Sequence, residues 1–213
     1  MKNKNKNKNK INTQKVSGGK IFWLFKRVFD IFASLALLPV MALVTLLVLI
    51  LNNTYNPGPI FFIQKRMGLN CLPFKAIKFR TMKPVDEIYR KYNDPLEKNR
   101  ITKLGNILRK SRVDELPQII NVIKGDMSLI GPRPDYYEHA LIFCDSIENY
   151  CDRHVIRPGI SGLAQIRLGY AEGLDATREK VNVDLKYIEN VGFVCDTKIV
   201  LNTLIVICRG LGL

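Results

Sequence analysis

Several common signatures of enzyme chemistry are missing from this chain. It has no Gly-rich dinucleotide fingerprint, no Walker phosphate loop and no Gly-x-Ser-x-Gly turn, so dinucleotide-binding folds, P-loop NTPases and α/β-hydrolases are not indicated. Its two histidines and five cysteines show neither a CxxC pair nor metal-ligand spacing, which does not predict a zinc site. The scattered cysteines instead predict reduced, cytoplasmic thiols that pack as small hydrophobic residues.

Negative charge is also missing from long stretches of the sequence. No acid precedes Asp30, and the next one is Asp86, so the formal net charge of the 213 residues is +14. This balance predicts a polyanionic partner: nucleic acid, anionic lipid or a phosphorylated substrate. Residues 31–51 carry no charge of either sign, and an apolar run of this length can cross a bilayer.

The composition predicts three segments. Residues 1–20 form a Lys/Asn-rich tail that we expect to be disordered. Its lysines either touch anionic membrane lipid or remain solvated. Residues 21–52 are predicted to be embedded in the membrane, and residues 53–213 to form a cytoplasmic catalytic domain.

The membrane segment has two features that argue against a straight span. Pro39 lies near its middle, where it removes a backbone hydrogen bond and kinks a helix. Basic residues flank the segment on both sides, whereas the positive-inside rule places a basic flank in the cytoplasm. We therefore expect a re-entrant helix-break-helix with Pro39 at the break, and a full span remains the alternative.

The rest of the chain predicts an α+β, mostly helical fold: a small cytoplasmic globular domain with a short β-hairpin and amphipathic interfacial helices. Alternating apolar residues in 59–66 and 73–82 predict the hairpin. Apolar spacing predicts a basic helix over 101–112 and a second helix that starts at Asp114. Further helices are predicted over 136–152, 176–190 and 199–208, with a rigid turn over 157–162.

The pair Asp114-Glu115 is the strongest candidate for chemistry. Asp114 at a helix N-terminus, with Arg109 and Arg112 nearby, is expected to favour its ionised form. An ionised aspartate can attack phosphorus or hold Mg²⁺, and Glu115 offers a second carboxylate. The alternative is structural, with Asp114 as a helix cap and Glu115 as a first-turn acid.

Two rigid turns downstream favour a diphosphate site. Gly125-Asp126 and the run 131–134 (Gly-Pro-Arg-Pro) follow the acid pair closely, and Arg133 is suited to bidentate phosphate binding. Arg157 lies in a second Pro-Gly turn of the same kind.

In these residues the chain resembles the bacterial sugar transferases, the monotopic phosphoglycosyl transferases that begin lipid-linked glycan assembly. The resemblance covers roughly residues 22 to 210 and rests on several motifs in order: Lys26-Arg27 with Asp30, KFRTM at 78–82, DELPQ at 114–118, KGDMSLIGPRP at 124–134, RPGISGLAQ at 157–165, and Asp184 with Tyr187.

The resemblance implies transfer of a sugar 1-phosphate from a UDP-sugar to polyprenyl (undecaprenyl) phosphate at the cytoplasmic face of the bacterial inner membrane, with release of UMP. Asp114 would form a covalent phosphosugar intermediate, and Glu115 would complete the dyad and help Asp114 to place Mg²⁺. The expected substrate-binding residues are Arg109, Arg112, Lys124, Asp126, Arg133, Arg157 and Gln165.

The chain departs from the family pattern at three positions. Leu38 stands where Ser often precedes the membrane proline, Leu163 where Trp often follows the Pro-Gly turn, and Arg112 where many members have Ser. These changes leave the proline kink in place, remove an aromatic contact and add charge beside the acid pair.

Two other functions stay open from the sequence. One is a membrane-tethered nucleic-acid-binding protein, although an Asp-Glu pair without metal repels phosphates, so we expect no nucleic-acid partner. The other is a glycosyltransferase that releases UDP. The apolar C-terminal helix also allows a homodimer, and the residues name neither the sugar nor the glycan pathway.

Overall fold

The computed structural model describes residues 16–85, 94, 97–169 and 173–209. Most of the predicted disordered tail therefore lies outside the described residues, as does much of the polar segment that precedes residue 97.

The described part of the chain is mostly helical with small sheets, which confirms the mostly helical α+β part of the predicted fold class. The α-helices are α1 (Lys20–Tyr55), α2 (Lys103–Lys110), α3 (Ile119–Lys124), α4 (Tyr137–Ser146), α5 (Leu163–Leu168), α6 (Gly173–Glu189) and α7 (Phe193–Cys208). The strands are β1 (Phe61–Met67), β2 (Pro73–Phe79), β3 (Ser128–Ile130) and β4 (Gly159–Ser161). Short 3-10 helices cover Leu69–Cys71, Lys98–Arg100, Val113–Gln118 and Tyr150–His154.

The predicted β-hairpin is confirmed. Strands β1 and β2 pair antiparallel, with Phe61 opposite Phe79 and Met67 opposite Pro73. A second, parallel pair joins β3 to β4, where the sequence predicted only a rigid turn over 157–162. Glycines allow this close pairing: a Cβ on Gly159 would stand 2.1 Å from the backbone nitrogen of Gly131.

Several helix boundaries differ from the prediction: α2 is shorter than 101–112, and the helix predicted over 136–152 is divided into α4 and a separate 3-10 helix. The segment that starts at Asp114 is a 3-10 helix before it becomes α3, because Pro117 has no N–H to donate to an α-helical ladder. Helix α7 begins at Phe193 rather than residue 199. Asp196 and Lys198 interrupt its apolar pattern, but Asp196 pairs with Lys26 and accepts a hydrogen bond from Tyr187.

Helix α1 is continuous over 36 residues, with Pro39 inside it. It is long and apolar enough to cross a membrane, and its large apolar side chains are mostly exposed. The helix thus continues through Pro39 as far as Tyr55, although this proline has no N–H to donate to the carbonyl of Leu35.

Both ends of α1 pack against the same globular body. Towards its N-terminus, Arg27 donates to the carbonyls of Val122 (2.7 Å) and Ile123 (3.1 Å) at the end of α3. Asp30 accepts a hydrogen bond from the Leu129 N–H at 3.1 Å. Towards the C-terminus, Val48 joins a core cluster with residues of β2 and α2. The long helix is thereby fixed to the segment that carries the acid pair.

The cysteines correct one prediction. Cys144 on α4 and Cys151 in the following 3-10 helix are joined by a disulfide, whereas Cys71 and Cys195 are free. The fold brings the paired residues within 5.7 Å between Cα atoms, which their sequence spacing alone did not reveal.

Candidate active site

The acid pair lies on the short 3-10 helix between α2 and α3. Arg112 has a left-handed backbone (φ 58°) and reverses the chain just before the pair, a conformation that non-glycine residues rarely adopt. Behind it, the Asn121 side chain donates to the Lys75 carbonyl at 2.8 Å and accepts from the Ile77 N–H at 3.1 Å. The edge of β2 is thus tied to α3, and both carboxylates are nearly buried, with 9% of Asp114 and 5% of Glu115 exposed.

Glu115 is held by basic side chains on both of its oxygens. Lys78 Nζ lies 2.5 Å from Oε1, and one Arg133 nitrogen lies 2.8 Å from Oε2 while the other contacts Oε1. Arg112 adds a longer contact of 3.9 Å. Burial alone would raise the pKa of Glu115, but Arg133 and Lys78 hold it well below its usual value. Glu115 is therefore an anchored anion that positions Lys78 and Arg133.

Asp114 has a different environment. Among the described residues, no hydrogen bond to its carboxylate is recorded, and only the charges of Lys78, Arg133 and Arg109 act on it favourably. Burial, with the neighbouring charge of Glu115, outweighs them and raises the pKa of Asp114. The expectation that its position favours the ionised form is therefore wrong: the 3-10 helix is too short for a strong dipole, and burial dominates.

A buried carboxylate to which no described residue donates a hydrogen bond is suited to bond formation. Because no donor in the described part of the chain holds its oxygens, an ionised Asp114 can approach an electrophile without first breaking such contacts. Glu115 cannot do this, since both of its oxygens are engaged. The pair therefore divides into one reactive candidate and one anchoring group.

Arg109 reaches the site from α2. Its Nε donates to the Thr81 hydroxyl at 2.8 Å, and Gly105 packs so closely that a Cβ would stand 2.0 Å from the Thr81 carbonyl oxygen. This contact fixes α2 against the chain after β2. Arg109, Arg112, Lys78 and Arg133 then surround two carboxylates, and the excess of positive charge favours a phosphate-rich ligand.

Other predicted site residues have contacts elsewhere. Arg157 donates to the Gly125 carbonyl at 2.9 Å and lines a cavity of about 320 Å³ beside α1. Asp126 accepts from Asn121 at 3.1 Å, in a structural turn, and Lys124 is exposed at the end of α3. Gln165 has a buried side-chain oxygen without a hydrogen-bond partner in the described residues. Their substrate-binding roles stay predictions.

Lys78 is the site residue that the sequence did not single out. It lies on β2, 37 positions before its partner Glu115, so local spacing gives no hint of the contact. Burial lowers the pKa of Lys78 to about 8, although Glu115 opposes that shift. Its place in the KFRTM motif was the available signal.

A buried ion network supports the turn that presents Arg133. Arg153 is fully buried, and it donates to the Arg133 carbonyl at 2.7 Å and to Asp184 at 2.6 Å. It also pairs with Asp135, which accepts from Tyr150 at 2.7 Å and from Lys180 at 2.5 Å. These contacts link the Arg133 turn to α6.

The donor set gives a partial fit to magnesium. Glu115 already has basic groups on both oxygens, which counts against it as a metal ligand. Asp114 has no such partner among the described residues. One carboxylate amid several cations suits an ion that arrives with substrate phosphates, the usual arrangement for Mg²⁺.

The chain is similar over most of its length to one protein family. The family described as bacterial sugar transferase matches residues 21–210. This range includes all of α1 except Lys20, and every residue of the site described above.

Curated relatives agree with this match. A UDP-N-acetylgalactosamine-undecaprenyl-phosphate N-acetylgalactosaminephosphotransferase of Aeromonas hydrophila is 40% identical over 90% of this chain, which spans only 45% of that longer protein. The exopolysaccharide production protein PSS of Rhizobium leguminosarum bv. phaseoli is 39% identical over 89% of this chain and 98% of its own length. A UDP-glucose:undecaprenyl-phosphate glucose-1-phosphate transferase of Caulobacter vibrioides is 38% identical over 84% of this chain and 68% of its own length.

Proposed function

Because the chain belongs to the bacterial sugar transferase family, we propose that it transfers a sugar 1-phosphate from a UDP-sugar to undecaprenyl phosphate and releases UMP. The product would be the first lipid-linked intermediate of a glycan such as an exopolysaccharide or capsule. Family membership favours this reaction over the nucleic-acid-binding alternative.

The observation that carries the proposal is the contrast within the acid pair. Glu115 is anchored by Lys78 and Arg133, whereas Asp114 lies beside the same cations without a recorded hydrogen-bond partner in the described part of the chain. One carboxylate thus positions the phosphate-binding cations, and the other remains available to react.

The first step of the proposed mechanism uses Asp114 as the nucleophile. Its carboxylate oxygen forms a bond to the sugar-linked phosphorus, and the bond from that phosphorus to the oxygen bridging the two phosphates breaks. UMP leaves with that electron pair, and a phosphosugar remains on Asp114. Lys78, Arg109 and Arg133 stabilise the charge that develops on the phosphate oxygens.

The second step regenerates the enzyme. A phosphate oxygen of undecaprenyl phosphate attacks the same phosphorus, and the bond to Asp114 breaks. Magnesium, which the resemblance implies, would be held by Asp114 and substrate phosphates and would neutralise phosphate charge there.

The packing of α1 supports a site at the membrane surface. Arg27 and Asp30 on α1 contact the segment that carries the acid pair, and apolar residues further along α1 are exposed. We propose that α1 enters and leaves the inner membrane from the cytoplasmic side, with the catalytic domain on that face. Self-association through α7 stays a prediction.

The leaving group and the covalent adduct test the proposal. Incubation with UDP-sugar and undecaprenyl phosphate should release UMP, and donor labelled in the sugar-linked phosphate should label the peptide that contains Asp114. Asp114→Asn should abolish turnover and labelling, whereas the control Asp145→Asn, at an exposed position on α4, should keep both.

Two results contradict the mechanism. Release of UDP would show that only the sugar is transferred. An Asp114→Asn variant that keeps a tenth of the wild-type rate would remove Asp114 from the nucleophilic role.

A further inference from the structure

Three cysteines from three separate elements converge outside the proposed active site. The sulfurs of Cys71, Cys144 and Cys151 all lie within 4.8 Å of one another. Cys71 ends the 3-10 helix after β1, Cys144 lies on α4, and Cys151 lies in the Tyr150–His154 helix. The fold rather than local spacing creates this cluster.

We propose that the cluster, with Cys144 and Cys151 reduced, binds one thiolate-preferring metal ion of the Zn²⁺ class. Zinc binds thiolates at about 2.3 Å, so two sulfurs on one tetrahedral ion lie about 3.8 Å apart. Sulfurs that are already within 4.8 Å of one another need only small movements to share an ion.

Metal binding first requires reduction of the Cys144–Cys151 disulfide, and a phosphine can act as the reductant. Two electrons and two protons convert the Cys144–Cys151 disulfide into two thiols, and the phosphine becomes its oxide with oxygen from water. The ion then replaces the thiol protons as it binds, because the thiolate is the ligand form.

The position of the cluster gives the ion a structural role. Cys151 lies between Tyr150, which donates to Asp135, and Arg153, which holds the Arg133 carbonyl. An ion bound here would join the hairpin end, α4 and this 3-10 helix below the Arg133 turn. Apolar residues around the sulfurs would limit access of water to the site.

Metal titration of the full chain in detergent tests the proposal. After phosphine reduction, the protein should bind about one equivalent of Co²⁺ with a sulfur-to-metal charge-transfer band, and excess Zn²⁺ should remove that band. Cys71→Ser should abolish the band. Cys195→Ser, at a free cysteine outside the cluster, is the matched control and should keep it.

Thermal unfolding and X-ray absorption give readouts that do not depend on activity. Zinc should raise the Tm of the reduced wild type but not of Cys71→Ser, because binding stabilises the folded state. Zinc-edge spectra should show three sulfur neighbours at about 2.3 Å. If Cys71→Ser fails to fold, Cys144→Ser is used as the variant instead. The zinc-edge spectrum of the reduced wild type tests for sulfur ligands in either case.

Other outcomes overturn the proposal. These are a reduced wild type that takes up no ion, a bound ion without sulfur neighbours, and equal loss of binding in Cys195→Ser. Failure here leaves UMP release by the proposed active site untouched, so the two proposals fail separately.

Discussion

The charge of Lys78 in the site depends on pH in the mildly alkaline range. Burial lowers its pKa to about 8, and its ammonium lies 2.5 Å from Glu115. Both its contact with Glu115 and its attraction for substrate phosphate require the protonated form. Catalysis should therefore depend on a proton that is lost at mildly alkaline pH.

We predict that kcat/KM falls as the pH rises through about 8. Lys78→Arg should move this falling limb to higher pH, because a guanidinium stays charged there. Lys78→Met should lower kcat/KM by about 100-fold at pH 7, as for other lost groups that stabilise phosphate charge. The exposed Lys75→Met is the control and should keep both the rate and the limb.

Stability should change in the opposite direction. Unfolded Lys78 keeps its proton up to its ordinary pKa of 10.5, whereas folded Lys78 loses it near 8. Between these values the unfolded chain binds more protons, so the contribution of Lys78 to the free energy of unfolding rises with pH. If kcat/KM falls as the pH rises while the urea concentration at the unfolding midpoint does not fall, the loss of activity arises in the site and not from unfolding. If kcat/KM of the Lys78→Arg variant falls over the same pH range as that of the wild type, the prediction is contradicted.

At the level of single residues, the sequence identified one half of the site well. Asp114 and Glu115 are adjacent in sequence, and Arg133 was identified from its rigid Gly-Pro-Arg-Pro turn although it lies 18 positions from Glu115. Lys78 and Arg153 were not identified as site residues because neither lies in such a turn, and only the tertiary fold brings them to partners 37 and 20 positions away. The ionisation of Asp114 was predicted in the wrong direction because burial cannot be read from charge spacing.

The element that presents Arg133 depends on a buried pair between the Tyr150–His154 helix and α6. The side chains of Arg153 and Asp184 are 0% and 1% exposed, and they lie 2.6 Å apart. Removing one member of such a pair leaves an uncompensated charge in the interior, which is far more costly than losing a surface pair.

We predict that Arg153→Met lowers the free energy of unfolding by about 3–5 kcal/mol. The exposed pair Arg178–Asp175 provides the control, and Arg178→Ala should change stability by less than about 0.5 kcal/mol. Adding Asp184→Leu to Arg153→Met should recover part of the loss, since the isolated charge is then removed. Urea denaturation of the three variants checks these values, and equal effects of Arg153→Met and Arg178→Ala would contradict them.

Elements were predictable where a pattern is local. The β-hairpin follows from alternating apolar residues between turn signals, and α6 from helical spacing. The parallel pair β3–β4 was missed because each strand has three residues. Three residues are too few to show the alternation of apolar and polar residues that indicates a strand. Helix α7 was predicted too short because only the apolar run 199–208 was taken as helical, whereas the pairing of Asp196 with Lys26 of α1 lets a charged residue lie in its first turn.

At the scale of the whole molecule, α1 limits how the protein can sit in a membrane. A straight helix of 36 residues would be about 54 Å long at 1.5 Å per residue. A straight span would separate its two ends by the hydrocarbon core, about 30 Å thick. Yet Asp30 contacts Leu129, and Asn56, at the end of the helix, donates to the Arg80 carbonyl at 2.8 Å. Both ends therefore contact one globular body, and this is the basis for our proposal that they lie on the same side of a bilayer.

We predict that both termini are cytoplasmic. Fusions of green fluorescent protein at either end should fluoresce in bacterial cells, and fusions of alkaline phosphatase at either end should be inactive, because that enzyme matures only outside the cytoplasm. Pro39→Ala should let α1 straighten, which makes part of the N-terminal phosphatase fusion active and weakens the Asp30–Leu129 contact. Val40→Ala, at an exposed neighbouring position, should leave the phosphatase inactive. An active N-terminal phosphatase on the wild-type chain would establish a full span and would also require the contacts of Arg27 and Asp30 with the catalytic segment to be broken in the membrane.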